Sequence, residues 1–290
     1  MNKIKFLTMY LITAILFIIS CSGNNQNSSN QINQNQLNNS NGEGEITMKA
    51  NEKYKELLKR DFAISKEDED LQNIFNNFVY GEVYNHGDLE PKLRELITLV
   101  SLTASQGNSM IAEHVEAALN AGASAIEIKE ALYQCSPYAG FPRVFSALEE
   151  ANKVFKSKNI SLPLQSQSTV SEETRFEKGL SAQTSIFGDR ILDMHRNAPE
   201  NLKHIQNYLS AMCFGDFYTR GGLDLKTREL LTFIMLISLG GAEPQATSHA
   251  NANISMGNYK DTLIKAVTQC IPYIGYPRTL NAIAIINGIN

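Results

Sequence analysis

The sequence predicts an all-α chain made of two tandem helical-bundle repeats. Three observations carry this expectation. The string CSPYAGFPR at 135–143 returns as CIPYIGYPR at 270–278, with cysteine, proline, tyrosine, glycine, an aromatic, proline and arginine recurring at an offset of 135. Upstream, YGEVYNHGDLEPKLRELITL at 80–99 matches FGDFYTRGGLDLKTRELLTF at 214–233 at an offset of 134, which places one inserted residue in the loop LGGAEPQ at 239–245. The apolar residues keep helical spacing, and no segment reads convincingly as a strand. A repeat of this length is one structural unit present twice.

The front of the chain reads as an address. Lys3 and Lys5 precede an apolar run at 6–20, shorter than the roughly 20 residues of a comfortable membrane span and suited to a secretory signal. Ile18-Ile19-Ser20-Cys21 resembles a bacterial lipoprotein box. Residues 1–21 are therefore expected to direct export, with lipidation of Cys21 anchoring the protein to the cell envelope. The alternatives are an uncleaved anchor or a plain secretion signal. Residues 22–45 are almost all Asn, Gln, Ser and Gly, with only Ile32 and Leu37 as large apolar residues, too little to offset the entropy of ordering. They read as a flexible tether.

Residues 46–160 form the first repeat domain, the Ser/Gln-rich 161–172 a linker, and 173–290 the second. Removing 1–21 takes away two lysines and moves the net charge from -4 to -6. Such a body has no reason to seek nucleic acid or anionic headgroups, so membrane contact is expected only through the lipid anchor. Cys135, Cys213 and Cys270 remain, an odd number with no CxxC pair, which argues against a disulfide framework or a zinc site. No metal is expected.

The helices follow in order. EPKLRELITLVSLTA starts near Pro91, whose missing N–H costs nothing in a first helical turn. After Glu95 it is apolar all round, which predicts a fully buried helix. SMIAEHVEAALNAG stops at Gly122. Ser124 and Glu127 in SAIE form a capping box for the next helix. Gly140 and Pro142 in YAGFP break the chain, and the helix restarts at RVFSALEEANKVF.

Glu95 stands at the start of one helix and His114 in the middle of the next, so folding that hairpin back is expected to let the two side chains approach, and Glu229 and His249 repeat the arrangement with one more residue between them. A carboxylate that orients an imidazole makes an acid/base pair. The alternative is a hydrogen bond that only closes the hairpin. Arg94 and Arg228 are candidates to bind a substrate carboxylate in bidentate fashion, or else to form an ion pair at a subunit contact. Tyr138 and Tyr273 sit where the chain bends, either walling a pocket or filling the core. Cys135 and Cys270 read as small buried residues. His86, His195 and His204 have no counterpart in the other repeat and read as surface residues.

RFEKGLSAQTSIFGDRILD at 175–193, then FGDFYTRGGLDLKTRELLTFIMLISLG, a lone histidine and IPYIGYPRTLNAIAI resemble the carboxymuconolactone decarboxylase family. The ordered set is G-x-x-Y, K-x-R-E-L, His and Y-x-G-x-P. The resemblance covers nearly all of 50–290 and is closer in the second repeat. It implies an all-α fold of helical hairpins, the alkylhydroperoxidase-like fold, assembled into rings. For two fused copies that means a homotrimer with pseudo-hexameric symmetry. One branch of the family removes a carboxylate from a lactone without metal or organic cofactor. The other is a peroxidase with a dithiol seven and four residues before the histidine. Those positions are Gly107 and Met110 in the first repeat, and Ala242 and Gln245 in the second. The dithiol is absent, and with it the peroxidatic nucleophile.

The reading that follows is a cofactor-free acid/base lyase or isomerase acting on a small carboxylate or lactone. Glu95, His114, Glu229 and His249 would be catalytic, and Arg94, Arg228, Tyr138 and Tyr273 would bind substrate. The alternatives are a non-catalytic binding or assembly module and a thiol-dependent redox protein using Cys135 and Cys270.

Overall fold

The computed structural model describes residues 44–289, and every regular element among them is helical. The signal 1–21, its Cys21 and the tether up to residue 43 lie outside the described residues. The far end of the expected tether is corrected. Glu45 opens helix α1 (Glu45–Leu58), because Ala50, Tyr54, Leu57 and Leu58 fall on one face and are buried.

The first repeat continues through α2 (Glu69–Asn76), a π-helical turn at Asn77–Glu82, α3 (Pro91–Ser105), α4 (Ile111–Asn120), α5 (Ala125–Gln134), α6 (Ser136–Ala139) and α7 (Phe141–Ser157). The second runs through α8 (Arg175–Phe187), α9 (Arg190–Asn197), α10 (Lys203–Tyr208), a π-helical segment at Leu209–Tyr218, α11 (Leu225–Leu239), α12 (Glu243–Ser255) and α13 (Lys260–Asn287).

Local chemistry sets these elements. Pro91 stands in the first turn of α3. Ser124 caps α5 through the capping box with Glu127, its Oγ accepting from Glu127 N at 3.1 Å. Asp224 caps α11 by accepting from Thr227 N at 2.7 Å. Gly140 takes φ 83°, ψ 149° between α6 and α7, and Gly275 takes φ 74°, ψ 168° inside α13. Both values lie in a region closed to L side chains, so each repeat kinks where its glycine stands.

Helix α3 is buried from Arg94 to Ala104 and α11 from Arg228 to Ser238. The two pack against each other, and Ser238 Oγ lies 3.0 Å from Ser101 Oγ at their crossing. One apolar core runs through both repeats, from Leu96 and Phe155 to Phe233 and Ile286. The repeats also exchange equivalent polar contacts. Arg94 Nη1 donates to Gln269 Oε1 at 3.0 Å, and Arg228 Nη1 donates to Gln134 Oε1 at 2.9 Å. Gln134 and Gln269 correspond in the alignment, so the two halves meet as an isologous pair does, patch against the same patch.

Candidate active site

In the second repeat Glu229 sits in the first turns of buried α11, and His249 sits mid-way along α12. Asn253 stitches the two helices, its Nδ2 donating to Glu229 O at 2.9 Å and His249 O at 2.8 Å. Glu229 Oε2 lies 2.8 Å from His249 Nδ1. Its other oxygen accepts from the Tyr218 hydroxyl at 2.8 Å. An ionised carboxylate can only accept, so it holds the proton on Nδ1 and leaves Nε2 as the basic nitrogen of the neutral ring. Nε2 has no protein partner among the described residues.

His249 forms part of the wall of a cavity of about 340 Å³, together with Tyr138, Phe187, Phe214, Pro244 and Ser248. The Phe187 ring meets the imidazole edge-on, with centroids 5.1 Å apart, and Tyr138 does the same at 5.7 Å. Tyr138 belongs to the first repeat, so the site is composite. Its hydroxyl lies 3.1 Å from the Tyr218 hydroxyl. Burial, with neighbouring Glu229 adding to it, holds both phenols well above their ordinary pKa. They remain neutral hydrogen-bonding groups at any ordinary pH.

The first repeat has the same dyad in a closed setting. Glu95 Oε2 lies 2.8 Å from His114 Nδ1, and the Tyr84 hydroxyl donates to Glu95 Oε1. The second repeat returns the favour of a tyrosine, with the Tyr273 hydroxyl 3.3 Å from His114 Nε2. Both histidines are buried, but His114 is 1% exposed against 7% for His249, which also lines the cavity. Glu113 stands where the second repeat has Ser248, and Tyr80 where it has Phe214. The hydroxyls of Tyr54 and Tyr80 converge on Glu113 at 3.0 and 3.2 Å. The nearby cavity of about 440 Å³, lined by Phe62, Phe75 and Met110, meets Glu113 and not His114.

Two expectations change. Arg94 and Arg228 are buried and their terminal guanidinium nitrogens are engaged elsewhere. Arg94 also donates to the carbonyls of His86 and Gly87 at 2.6 and 3.1 Å. Arg228 donates to Glu130 Oε2 at 3.1 Å and to the carbonyls of Arg220 and Gly221 at 3.0 and 2.8 Å. Neither arginine lines the His249 cavity, so their expected contact with a substrate carboxylate is corrected to a contact that joins the repeats. His195 is also more than a surface residue: it is half-buried, with Nε2 2.9 Å from Ser210 Oγ. His86 and His204 are exposed. Cys135, Cys213 and Cys270 are buried free thiols, and burial pushes the last two up to about 12 and Cys135 further still. Among the described residues no group of three His, Cys, Asp or Glu side chains is arranged to hold a metal.

Sequence reasoning assigned no part to Phe187, Arg190, Tyr218 or Ser248. Tyr84 and Tyr218 carried a usable signal, since each recurs 11 residues before its glutamate. Phe187 and Arg190 carried no repeat signal, because SIFGDR has no match in the first repeat.

The sequence matches the carboxymuconolactone decarboxylase family twice, at residues 69–153 and 203–287, more than half of the chain. The chain belongs to that family. A 4-carboxymuconolactone decarboxylase from Acinetobacter baylyi is 34% identical over 109 residues, which is 37% of this chain and 81% of that protein. An uncharacterised 15.0 kDa protein of the nqo9-nqo10 intergenic region in Paracoccus denitrificans is 33% identical over 78 residues, 26% of this chain and 58% of that protein. Both Glu–His dyads fall within the residues matched to the carboxymuconolactone decarboxylase family. The segment carrying Phe187 and Arg190 lies before the second match, so part of the cavity wall is built outside it.

Proposed function

We propose that this carboxymuconolactone decarboxylase-like protein is a cofactor-free acid/base lyase or isomerase whose working site is the His249 cavity. The observation that carries the reading is the Glu229–His249 dyad at the wall of a mostly apolar cavity. His249 Nε2 takes a proton from, or returns it to, a carbon beside a carbonyl. Glu229 orients the ring and stabilises the imidazolium. In the lyase form His249 Nε2 first takes a proton from solvent; the C–C bond to a carboxylate then breaks, CO₂ leaves, and the electron pair left on carbon takes that proton from the imidazolium, which returns to the neutral ring. A carboxylate or lactone of modest size suits the cavity volume. The relative from Acinetobacter baylyi, named a decarboxylase, supports the carboxy-lyase form.

The closed His114 site favours a division of labour. The first repeat serves as scaffold and supplies Tyr138 to the second repeat's site. The buried thiols count against the redox alternative, since burial keeps them protonated and poorly nucleophilic.

The test is turnover of a panel of small carboxylates and lactones in D₂O, followed by proton NMR for loss of CO₂ or uptake of deuterium at carbon. Activity in the intact protein that is abolished by Glu229→Gln supports the proposal. Activity indifferent to Glu229→Gln refutes it.

Export with a lipid on Cys21 and assembly as a homotrimer belong to the same proposal. Phe141 and Phe145 are exposed apolar residues on the restarted helix, and Tyr276 and Leu280 repeat them at the same offset, which supports a self-association face. Sedimentation of the soluble fragment tests the trimer. Labelling with radioactive palmitate, lost in Cys21→Ser, tests the anchor.

A further inference from the structure

We propose that Arg190 is the specificity residue of the His249 cavity, and that it selects molecules carrying a carboxylate on an apolar body. This rests on the reading of that cavity as a binding site and adds to it the chemical class of the occupant. Arg190 lines the cavity beside Phe187, and it is the one lining residue with a permanent charge. Its guanidinium lies over the Phe187 ring, 5.3 Å from the centroid. Phe187 in turn meets His249 edge-on. Phe187 thus touches both the cation and the imidazole.

Arg190 makes no hydrogen bond or ion pair with a carboxylate among the described residues. Asp193, the acid one turn on, pairs with Arg196 instead. Arg94 and Arg228, by contrast, spend their donors on carbonyls and on the other repeat. An exposed guanidinium over an aromatic ring, with its donors uncommitted, is ready to take a carboxylate in bidentate geometry. The rest of the wall is mostly apolar, with Ile191, Met194, Leu209 and Phe214, and Gln183, Gln245 and Ser248 are its polar members, so the body behind the carboxylate should be largely apolar too. A carboxylate gripped at Arg190 puts that body in the cavity that Phe187 and His249 also line.

The test uses fluorine NMR titration of the soluble protein with 4-fluorobenzoate and, as neutral isostere, 4-fluorobenzamide. The acid should bind, and Arg190→Gln should weaken it about tenfold or more, the loss of one charge-assisted bidentate contact. Affinity for the amide should stay unchanged, which shows that the variant cavity is intact. Arg190→Lys should keep part of the preference for the acid. Equal affinity for acid and amide in the native protein, no binding of either, or an unchanged acid affinity in Arg190→Gln would overturn the assignment. Binding is read without turnover, so a catalytically silent protein that still prefers the acid refutes only the enzymatic reading.

Discussion

The Tyr273 hydroxyl lies 3.3 Å from Nε2 of His114, although 159 residues separate the two along the chain. Tyr138 meets His249 edge-on in the reciprocal arrangement. Each repeat thus carries its own carboxylate and imidazole and borrows its tyrosine from the other half. The motif that ends one repeat completes the site of its partner.

That reciprocity makes the junction between repeats costly to disturb. Arg228 is fully buried and joins Glu130, Gln134 and two carbonyls. Arg228→Ala strips Gln134 and the two carbonyls of their donor while Glu130 keeps its pair with Arg220, and should destabilise the protein by about 3 kcal/mol, since each unmet buried acceptor costs about 1–3 kcal/mol. Arg228→Lys should recover little, because an ammonium lacks the planar fork. Urea unfolding measures both. A loss under about 1 kcal/mol for the alanine variant, the level of one ordinary hydrogen bond, would show that the junction does not depend on this residue.

The packing that carries Phe187 to the site depends on a glycine. A Cβ on Gly179 of α8 would fall 1.9 Å from the Ser210 carbonyl oxygen, a contact no side chain can make. Gly179→Ala should therefore cost about 3 kcal/mol or more and push α8 off the π-helical segment 209–218. Thermal unfolding followed by circular dichroism checks it, and an unchanged midpoint would contradict the packing described.

Alkaline pH should weaken the fold before it affects anything else. Burial holds Cys213 and Cys270 at about 12 against an ordinary 9.0, and raises Tyr84, Tyr138, Tyr218 and Tyr273 well above 10.0. These groups are raised in the folded state, so their stability contribution is complete below the unfolded pKa. It is lost as pH climbs from about 9 towards the folded values, at roughly 1.4 kcal/mol per unit for each group titrating in the unfolded chain alone. Unfolding midpoints in urea should be flat from pH 7 to 8.5 and fall steeply above 9.5. A flat profile to pH 11 would contradict the burial of these side chains.

The sequence made the duplication, the helical class and both Glu–His dyads legible, because identical residues at a fixed offset report shared constraints without coordinates. The capping box at Ser124 and the break at Gly140 were legible for a different reason: their chemistry is local. The asymmetry of the two sites was not. It arises from Glu113 against Ser248 and Tyr80 against Phe214, single differences whose effect depends on what α1 and α8 bring over them. The partners of Arg94 and Arg228 were hidden too, since Gln269 and Gln134 lie 175 and 94 residues away in sequence. The π-helical turns at 77–82 and 209–218 left no periodic signature. Tyr218 ends the second of them and Tyr84 follows the first in a 3-10 turn at Val83–Asn85, and π turns of this kind gather at functional sites.

In the proposed reading His249, not His114, does the chemistry. The difference in access has a reading independent of substrate. Diethyl pyrocarbonate should modify His249 together with exposed His86 and His204, and leave His114 untouched until the protein unfolds, as peptide mass mapping will show. Equal labelling of His114 and His249 would remove the basis for the asymmetry.

The most direct measurement compares the rate of proton transfer at carbon, on whichever small carboxylate or lactone turns over, in His249→Gln and His114→Gln. The account predicts a loss of about 100-fold or more for His249→Gln, the usual contribution of a positioned general base, with His114→Gln within twofold of the native protein. Equal losses in the two variants, or native activity in His249→Gln, would contradict it.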